Sequence, residues 1–426
     1  MTIISKITTR GCGCDAPEET TKLISIDAAL ARIDDHATPL VDTEVIPLSQ
    51  ALGRVLAAPV RAADKAPAFN SAAMDGYAVN TTGLRGDGPW IMPVIDHIAA
   101  GAMAKAPLAP VGAARILTGA PLPEGADAVI RQEDVIRQGA TVRLDMRPKP
   151  GENIRQAGEE MQQGQTILSA GCRLGPRQIA ASAACGAASL RVRRTLRIAL
   201  VVTGSEVRAP GRERTEGQIW DVNTPMLQAA LAGPELDLIL VEHLKDDPDL
   251  MTARLAELAK GVDLIVTTGG VSVGDADHVK PALIGLGAEV HFSGVAIKPG
   301  KPVSYGSLAG CHWLGLPGNP AAAFVTWQVF GTRLIHALTG QESPRVARRH
   351  VVTADAINRK PGRCELRPAK LVGFDDRGRE VSSCASASHS ARASELASAD
   401  GLIFLPAESD HLPAGALVEF SAFCDS

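Results

Sequence analysis

The sequence predicts a multidomain chain of α/β and β parts, with a doubly wound α/β domain standing between smaller β-rich segments. Three observations carry that reading. The chain has 426 residues, too many for one compact core, and about 150 residues per domain gives two to four domains. Between residues 195 and 340, buried-type apolar runs alternate with amphipathic helical stretches, the pattern of a parallel sheet with helices on both faces. Elsewhere the apolar runs are short and punctuated by the chain's 41 glycines and 28 prolines, against 3% aromatic residues. With no low-complexity tract, such a composition implies turns on small-residue scaffolds, not disorder.

The elements follow in order. Residues 1–20 read as an N-terminal tail, whose close pair Cys12 and Cys14 has no second cysteine or histidine pair at zinc spacing beside it. Apolar residues at helical spacing cover 26–33, with Ser25 or Asp27 as the cap. Residues 45–62 read as strand, turn and strand around Gly53. From 63 to 157, short β-type runs at 90–95, 114–117, 128–132 and 141–144 lie among glycines and prolines, a small and mostly β domain. A short strand at 166–174 and a helix at 178–185 follow. The α/β stretch then carries strands at 197–202, 236–241, 262–267, 288–293, 302–305 and 312–316, with helices near 224–231, 248–260, 276–286 and 320–338. Past 345 come short runs, serine-rich loops and no long helix, hence another small β domain.

Charge and composition exclude several classes. The 43 basic and 47 acidic side chains leave a net charge of −4, which argues against nucleic acid or anionic membrane as the main partner. Apolar runs such as 198–202 and 262–266 have strand length and fall far short of a membrane span. Residues 1–10 lack the apolar core of a secretory signal, and eight scattered cysteines read as reduced thiols, so a cytoplasmic location is expected. No G-x-G-x-x-G follows a strand and no G-x-x-x-x-G-K-[ST] occurs, which disfavours dinucleotide dehydrogenases and P-loop enzymes. None of the ten histidines forms an H-x-x-x-H pair with a glutamate, which disfavours zinc hydrolases.

In an open α/β sheet, ligands bind outside the carboxyl ends of the strands. The loops there are 203–206 (Thr-Gly-Ser-Glu), 245–248 (Lys-Asp-Asp-Pro), 268–277 (Thr-Gly-Gly-Val-Ser-Val-Gly-Asp-Ala-Asp), 298–302 (Lys-Pro-Gly-Lys-Pro) and 316–320 (Leu-Pro-Gly-Asn-Pro). Together they describe a mixed-charge anion site. Glycine admits close approach of backbone N–H groups to phosphate, and a following helix N-terminus adds a favourable dipole. Thr268 and Ser272 can donate to phosphate oxygens, and Lys298 and Lys301 neutralise charge. Glu206, Asp246 and Asp277 would repel a bare phosphate, and fit better holding a hard divalent cation, magnesium, against it. Asp75, in the turn 70–78, reads on its own as a structural Asp-Gly turn. His278 is either a substrate hydrogen-bonder or a solvated helix-start residue.

At these residues the sequence resembles a known family. Segments 71–78 (Ser-Ala-Ala-Met-Asp-Gly-Tyr-Ala), 118–125 (Thr-Gly-Ala-Pro-Leu-Pro-Glu-Gly), 267–277, 297–302 and 316–320 are similar to the molybdopterin molybdenumtransferase (MoeA) family, which also includes the C-terminal domain of gephyrin. The resemblance runs from about Leu23 to Glu419, in order and with compatible spacing. It implies a discontinuous connecting domain over 21–62 and 158–194, a β-rich inserted domain over 63–157, a Mog-like α/β molybdopterin-binding domain over 195–345 and a C-terminal β-barrel over 346–426. It also implies insertion of molybdate into adenylylated molybdopterin with release of AMP, dependence on magnesium, and a homodimer whose active site is shared between subunits.

Carried over position by position, the resemblance makes Asp75, Thr118, Glu206, Asp246, Asp277 and Lys298 catalytic, with Glu206, Asp246, Asp277 and Glu160 around the metal. Substrate binding falls to Asp221, Asn223, Gly269, Gly270, Ser272, Gly274, Lys301, Pro317, Gly318, Asn319, Pro320 and Ser388. Three positions depart from the family pattern. Glu160 stands for an aspartate, Ser205 replaces a carboxylate, and Gly294 replaces a lysine four residues before Lys298, for which Lys280 or Arg367 are candidate substitutes. Two alternatives share the same pocket: a Mog-type molybdopterin adenylyltransferase and a non-catalytic molybdopterin-binding scaffold. Expected partners beyond the second subunit are a Mog-type adenylyltransferase and molybdoenzyme maturation proteins.

Overall fold

The computed structural model describes residues 23–270, 278–342, 349–385 and 393–423. The first helix, α1 (Ile26–His36), begins where Ser25 Oγ accepts a hydrogen bond from Ala28 N at 3.1 Å, so Ser25 is the cap. Its buried stripe of Ile26, Ala29 and Ile33 joins the core of the α/β part of the molecule rather than that of the neighbouring β segments. Asp34, on the outer face, holds Arg333 through two hydrogen bonds of 2.6 Å.

The next part is a six-stranded sheet. Its strands run in the order Ala128–Arg131, Gly76–Val79, Ala113–Ile116, Trp90–Ile98, Thr141–Leu144 and Val135–Gln138. Only the pair Trp90–Ile98 and Ala113–Ile116 is parallel. The chain before and after this sheet meets itself: Thr43–Pro47 pairs with Ser189–Arg193, and Val60–Arg61 with Thr166–Leu168. Ile46, Leu56, Leu174 and Val192 form the core between those strands.

The α/β part comprises β1 (Leu196–Thr203), α2 (Asn223–Ala230), β2 (Leu236–Leu244), α3 (Pro248–Gly261), β3 (Leu264–Thr268), α4 (Val279–Gly285), β4 (Glu289–Ser293), β5 (Ile297–Lys298), β6 (Ser304–Leu308), β7 (Cys311–Leu316), α5 (Pro320–Thr326) and α6 (Thr332–Thr339). The sheet order is β2-β1-β3-β7-β6-β4. Its buried residues form separate clusters on the two faces, one with α1, α2, α5 and α6, the other with α3 and α4. The sheet is not wholly parallel. β2, β1, β3 and β7 are, but β6 is antiparallel to both β7 and β4. Only Ala309 and Gly310 link β6 to β7, both at positive φ (51° and 88°), and two residues close a hairpin but cannot make a crossover. The helix expected over 320–338 is also interrupted, by a π-helical turn at Trp327–Gly331. There a Cβ on Gly331 would lie 2.3 Å from the Trp327 ring.

Five strands close the C-terminal part into a barrel: Arg349–Thr353, Cys364–Phe374, Glu380–Cys384, Gly401–Leu405 and Leu417–Ala422. Closure comes from the length of Cys364–Phe374, which pairs with Gly401–Leu405 along its first half and with Glu380–Cys384 along its second. β5 adds to the barrel as a parallel strand at Cys364 and Glu365, so the Lys298 loop is hydrogen-bonded to both folds. No helix among the described residues is long and apolar enough to cross a membrane.

The core carries its own pH sensitivity. Burial, with help from His291, pushes the His312 imidazole down to about 4, and Tyr305 Oη sits 3.0 Å from its Nδ1. Burial lowers His291 and His336 in the same direction. The unfolded chain therefore takes up protons near 6.5 that the folded chain refuses. Stability from His312 is complete above that value and is lost as pH falls from 6.5 towards 4. Between pH 7.5 and 4.5 its share of the loss in urea denaturation should be about 2–3 kcal/mol. A pH slope unchanged in His312→Asn would contradict this.

Candidate active site

A cavity of about 980 Å³ opens at the carboxyl ends of β1, β3 and β7, bounded on its other sides by the start of α2 and by the 298–302 loop. Glycines set how closely these segments meet. Gly269 has φ 85°, and a Cβ there would lie 2.7 Å from Thr203 Oγ1 and 2.9 Å from the Thr203 carbonyl. The end of β3 thus lies directly against the end of β1, and no larger residue fits. Gly300, at φ 113°, is pressed against Thr326 in the same way, with 2.3 Å to Cγ2.

Behind the lining, hydrogen bonds fix the frame. Asn223, 8% exposed, donates from Nδ2 to Thr268 Oγ1 and to the Gly318 carbonyl, both at 2.8 Å. Thr268 Oγ1 in turn donates to the Pro317 carbonyl at 3.1 Å. The Thr268 hydroxyl is thus spent on joining loops, which corrects its expected role as a phosphate donor. Asn223 Oδ1 is buried at the cavity with no donor among the described residues. Asp221 caps the next turn by accepting from Thr224 N at 2.9 Å, and its other oxygen lies 2.8 Å from His243 Nε2.

The charged lining carries both signs. Glu206 and Asp246 are exposed, and Asp246 Oδ2 accepts from Ser205 N at 3.3 Å. Lys298, Lys301 and Arg363 supply the positive charge. Lys298 Nζ is 3.3 Å from Glu365 Oε1. Glu365 is completely buried, and also pairs with Arg359 at 3.2 Å and Arg367 at 3.0 Å. Burial pushes its carboxyl up, but Arg367 and Lys298 overcome that and hold it below the usual carboxylate range. Trp220 presents a ring to the cavity and carries the Arg214 guanidinium 5.2 Å from its centroid.

Most of the expected residues thus meet in one place: Glu206, Asp246, Asp221, Asn223, Gly269, Gly270, Lys298, Lys301 and 317–320 all line the cavity. Asp277, Ser272, Gly274 and Ser388 lie outside the described residues. Asp75, Thr118 and Glu160 do not line the cavity of their own chain. Asp75 instead accepts two hydrogen bonds from Thr118, from N at 2.8 Å and Oγ1 at 2.7 Å, which hold its carboxyl below the usual range. Glu160 is exposed and bonded through its backbone N to the Ala66 carbonyl. Neither substitute for the lysine missing at Gly294 lines the cavity. Arg367 is committed to Glu365 and the Ala385 carbonyl, and Lys280 lies 3.3 Å from Ser293 Oγ. Four residues escaped the sequence reading. Trp220 directly precedes Asp221 and could have been singled out with it, whereas His243, Arg363 and Glu365 carry no local signal.

Residues 24–186 match the family model of the MoeA N-terminal region (domain I and II), 199–337 that of a "probable molybdopterin binding domain", and 350–423 that of the MoeA C-terminal region (domain IV). The chain is 35% identical over 378 residues to molybdopterin molybdenumtransferase 2 of Mycobacterium tuberculosis, covering 87% of this chain and 92% of the relative. It is 31% identical over 404 residues to molybdopterin molybdenumtransferase of Bacillus subtilis, covering 93% of each. The crystal structure of molybdopterin biosynthesis moeA protein from Pyrococcus horikoshii is similar in fold, with a TM-score of 0.80, 27% identity, and coverage of 94% of this chain and 100% of that one.

Proposed function

Because the chain belongs to the MoeA family, we propose that it is a molybdopterin molybdenumtransferase, inserting molybdate into adenylylated molybdopterin and releasing AMP. The observation that carries this reading is the cavity itself, which two lysines and an arginine line together with two carboxylates and glycine-rich strand ends. The cations suit a tetrahedral oxyanion and phosphate oxygens. Gly269 and Gly270 bring the main chain within reach of the same groups. The Trp220 ring offers a flat apolar face to a heterocycle, and Asn223 Oδ1 offers an acceptor that no donor among the described residues satisfies.

The carboxylates of Glu206 and Asp246 are exposed hard oxygen donors in the lining, a donor type that fits magnesium. When bound, magnesium would supply positive charge to the pyrophosphate oxygens. The protein's own part is to hold the substrate phosphates among the lysines and these carboxylates, and to aim Lys298 through Glu365. Asp75 and Thr118 form a preorganised pair that their own cavity does not use. We assign that pair to the cavity of a second subunit in a homodimer, acting in the cytoplasm and receiving its substrate from a Mog-type adenylyltransferase.

AMP release tests the proposal directly. Adenylylated molybdopterin should give AMP only when both molybdate and magnesium are present, titrated separately. Formation of the adenylate from ATP and molybdopterin, with no AMP release on adding molybdate, would refute it.

A further inference from the structure

Where α1 meets β4, three donor side chains converge, none of which lines the cavity. His36 ends α1, and Glu289 and His291 lie on the sheet's edge strand β4, whose pairing with β6 shifts register at His291. One ligand atom from each lies within 4.8 Å of the others. His291 is 7% exposed, and its Nδ1 is buried with no hydrogen-bond partner among the described residues. That nitrogen faces Glu289 Oε1 at 3.8 Å, while Nε2 lies 3.0 Å from Ser307 Oγ. The His36 ring stacks on the His291 ring with centroids 3.7 Å apart, and Arg32 fixes the approach of α1 by donating to the His291 carbonyl at 2.6 Å.

We propose that His36, Glu289 and His291 bind a first-row divalent cation of the Zn²⁺ type, which joins α1 to the edge of the α/β sheet. Two imidazoles and one carboxylate are the donor set of such an ion, whereas magnesium and calcium take oxygen alone. With Nε2 donating to Ser307, His291 presents the Nδ1 lone pair, and the serine acts as the outer partner that orients a metal-binding imidazole. His36 and Glu289 are exposed, so rotation of their side chains closes the donors around the ion and leaves a fourth position to water. The buried nitrogen thereby gains the partner that the protein does not give it. The consequence is local to the N-terminal segment: Ile24 N donates to the Gly294 carbonyl and Leu23 packs against Gly294, four residues before Lys298. An ion holding α1 also holds that segment beside the lysine loop.

The test is titration of the full-length, chelator-stripped protein with ZnCl₂ against a chromogenic competitor, alongside thermal denaturation. One equivalent should bind and raise Tm. H36Q and E289Q, each at an exposed position, should weaken binding at least about tenfold and abolish the rise. A C12S–C14S double variant should bind as the parent does. The proposal fails if the parent protein binds no competing equivalent, if both single variants keep its affinity, or if the cysteine variant loses the site.

Discussion

Asp75→Ala is expected to cut AMP release by about 100-fold or more, the scale of losing one preorganised charged group at a reacting centre. The fold should be untouched, because Asp75 is exposed and, among the described residues, its side chain bonds only to Thr118. Asp246→Ala should be equally inactive, having lost a cavity carboxylate. The informative experiment combines the two. In a dimer whose sites are shared, a subunit lacking Asp75 still offers an intact cavity, and a subunit lacking Asp246 still offers an intact Asp75. Random assortment makes half the dimers mixed, each with one complete site of two, so co-expression should restore about a quarter of the parental activity. Tagging the two subunits differently isolates the mixed dimers, which should reach about half. An inactive mixed dimer would rule out a site built from both chains, and full activity of Asp75→Ala alone would remove Asp75 from the chemistry.

Alternation of strands and helices made the α/β part legible in the sequence because its central strands are apolar on both faces and its helices on one. Ile198, Leu200 and Val202 point to one core and Ala199 and Val201 to the other, so burial on both faces leaves a continuous apolar run. Strand direction was less visible. The reversal at β6 depends on Ala309 and Gly310, a two-residue link that periodicity alone does not weigh. The placement of α1 was hidden for a different reason: its apolar stripe tells that it is buried, not against what. At the site, glycines, lysines and carboxylates announced themselves because they follow strand ends directly. The Thr268 hydroxyl looked available since nothing local shows Asn223, 45 residues away, taking it as an acceptor. Glu365 is hidden most deeply, since its three cationic partners come from a loop of the α/β fold and two separate parts of the barrel.

Glu365→Gln should produce the largest loss of stability of any single change near the site. The carboxylate is inaccessible to solvent and sits among Lys298, Arg359 and Arg367, of which the two arginine side chains are 1% and 4% exposed. Glutamine keeps the shape but removes the negative charge that these three cations share. Loss of one partner from a buried ionic cluster typically costs about 3–5 kcal/mol. Arg359 cannot simply turn away, because it also donates to the carbonyls of Arg363, Pro406 and Ser409 and so holds the barrel loops together. Lys298→Ala separates structure from chemistry. Its side chain is 43% exposed and its ion pair half-solvated, so stability should fall by less than about 1 kcal/mol, while AMP release should fall about 100-fold. Urea denaturation and the AMP assay on both variants read these outcomes. Were Glu365→Gln to unfold at the parental midpoint, the buried cluster would not be what seats the lysine loop on the barrel. Were Lys298→Ala to keep its activity, the charge that Glu365 positions would not be the one that the substrate meets.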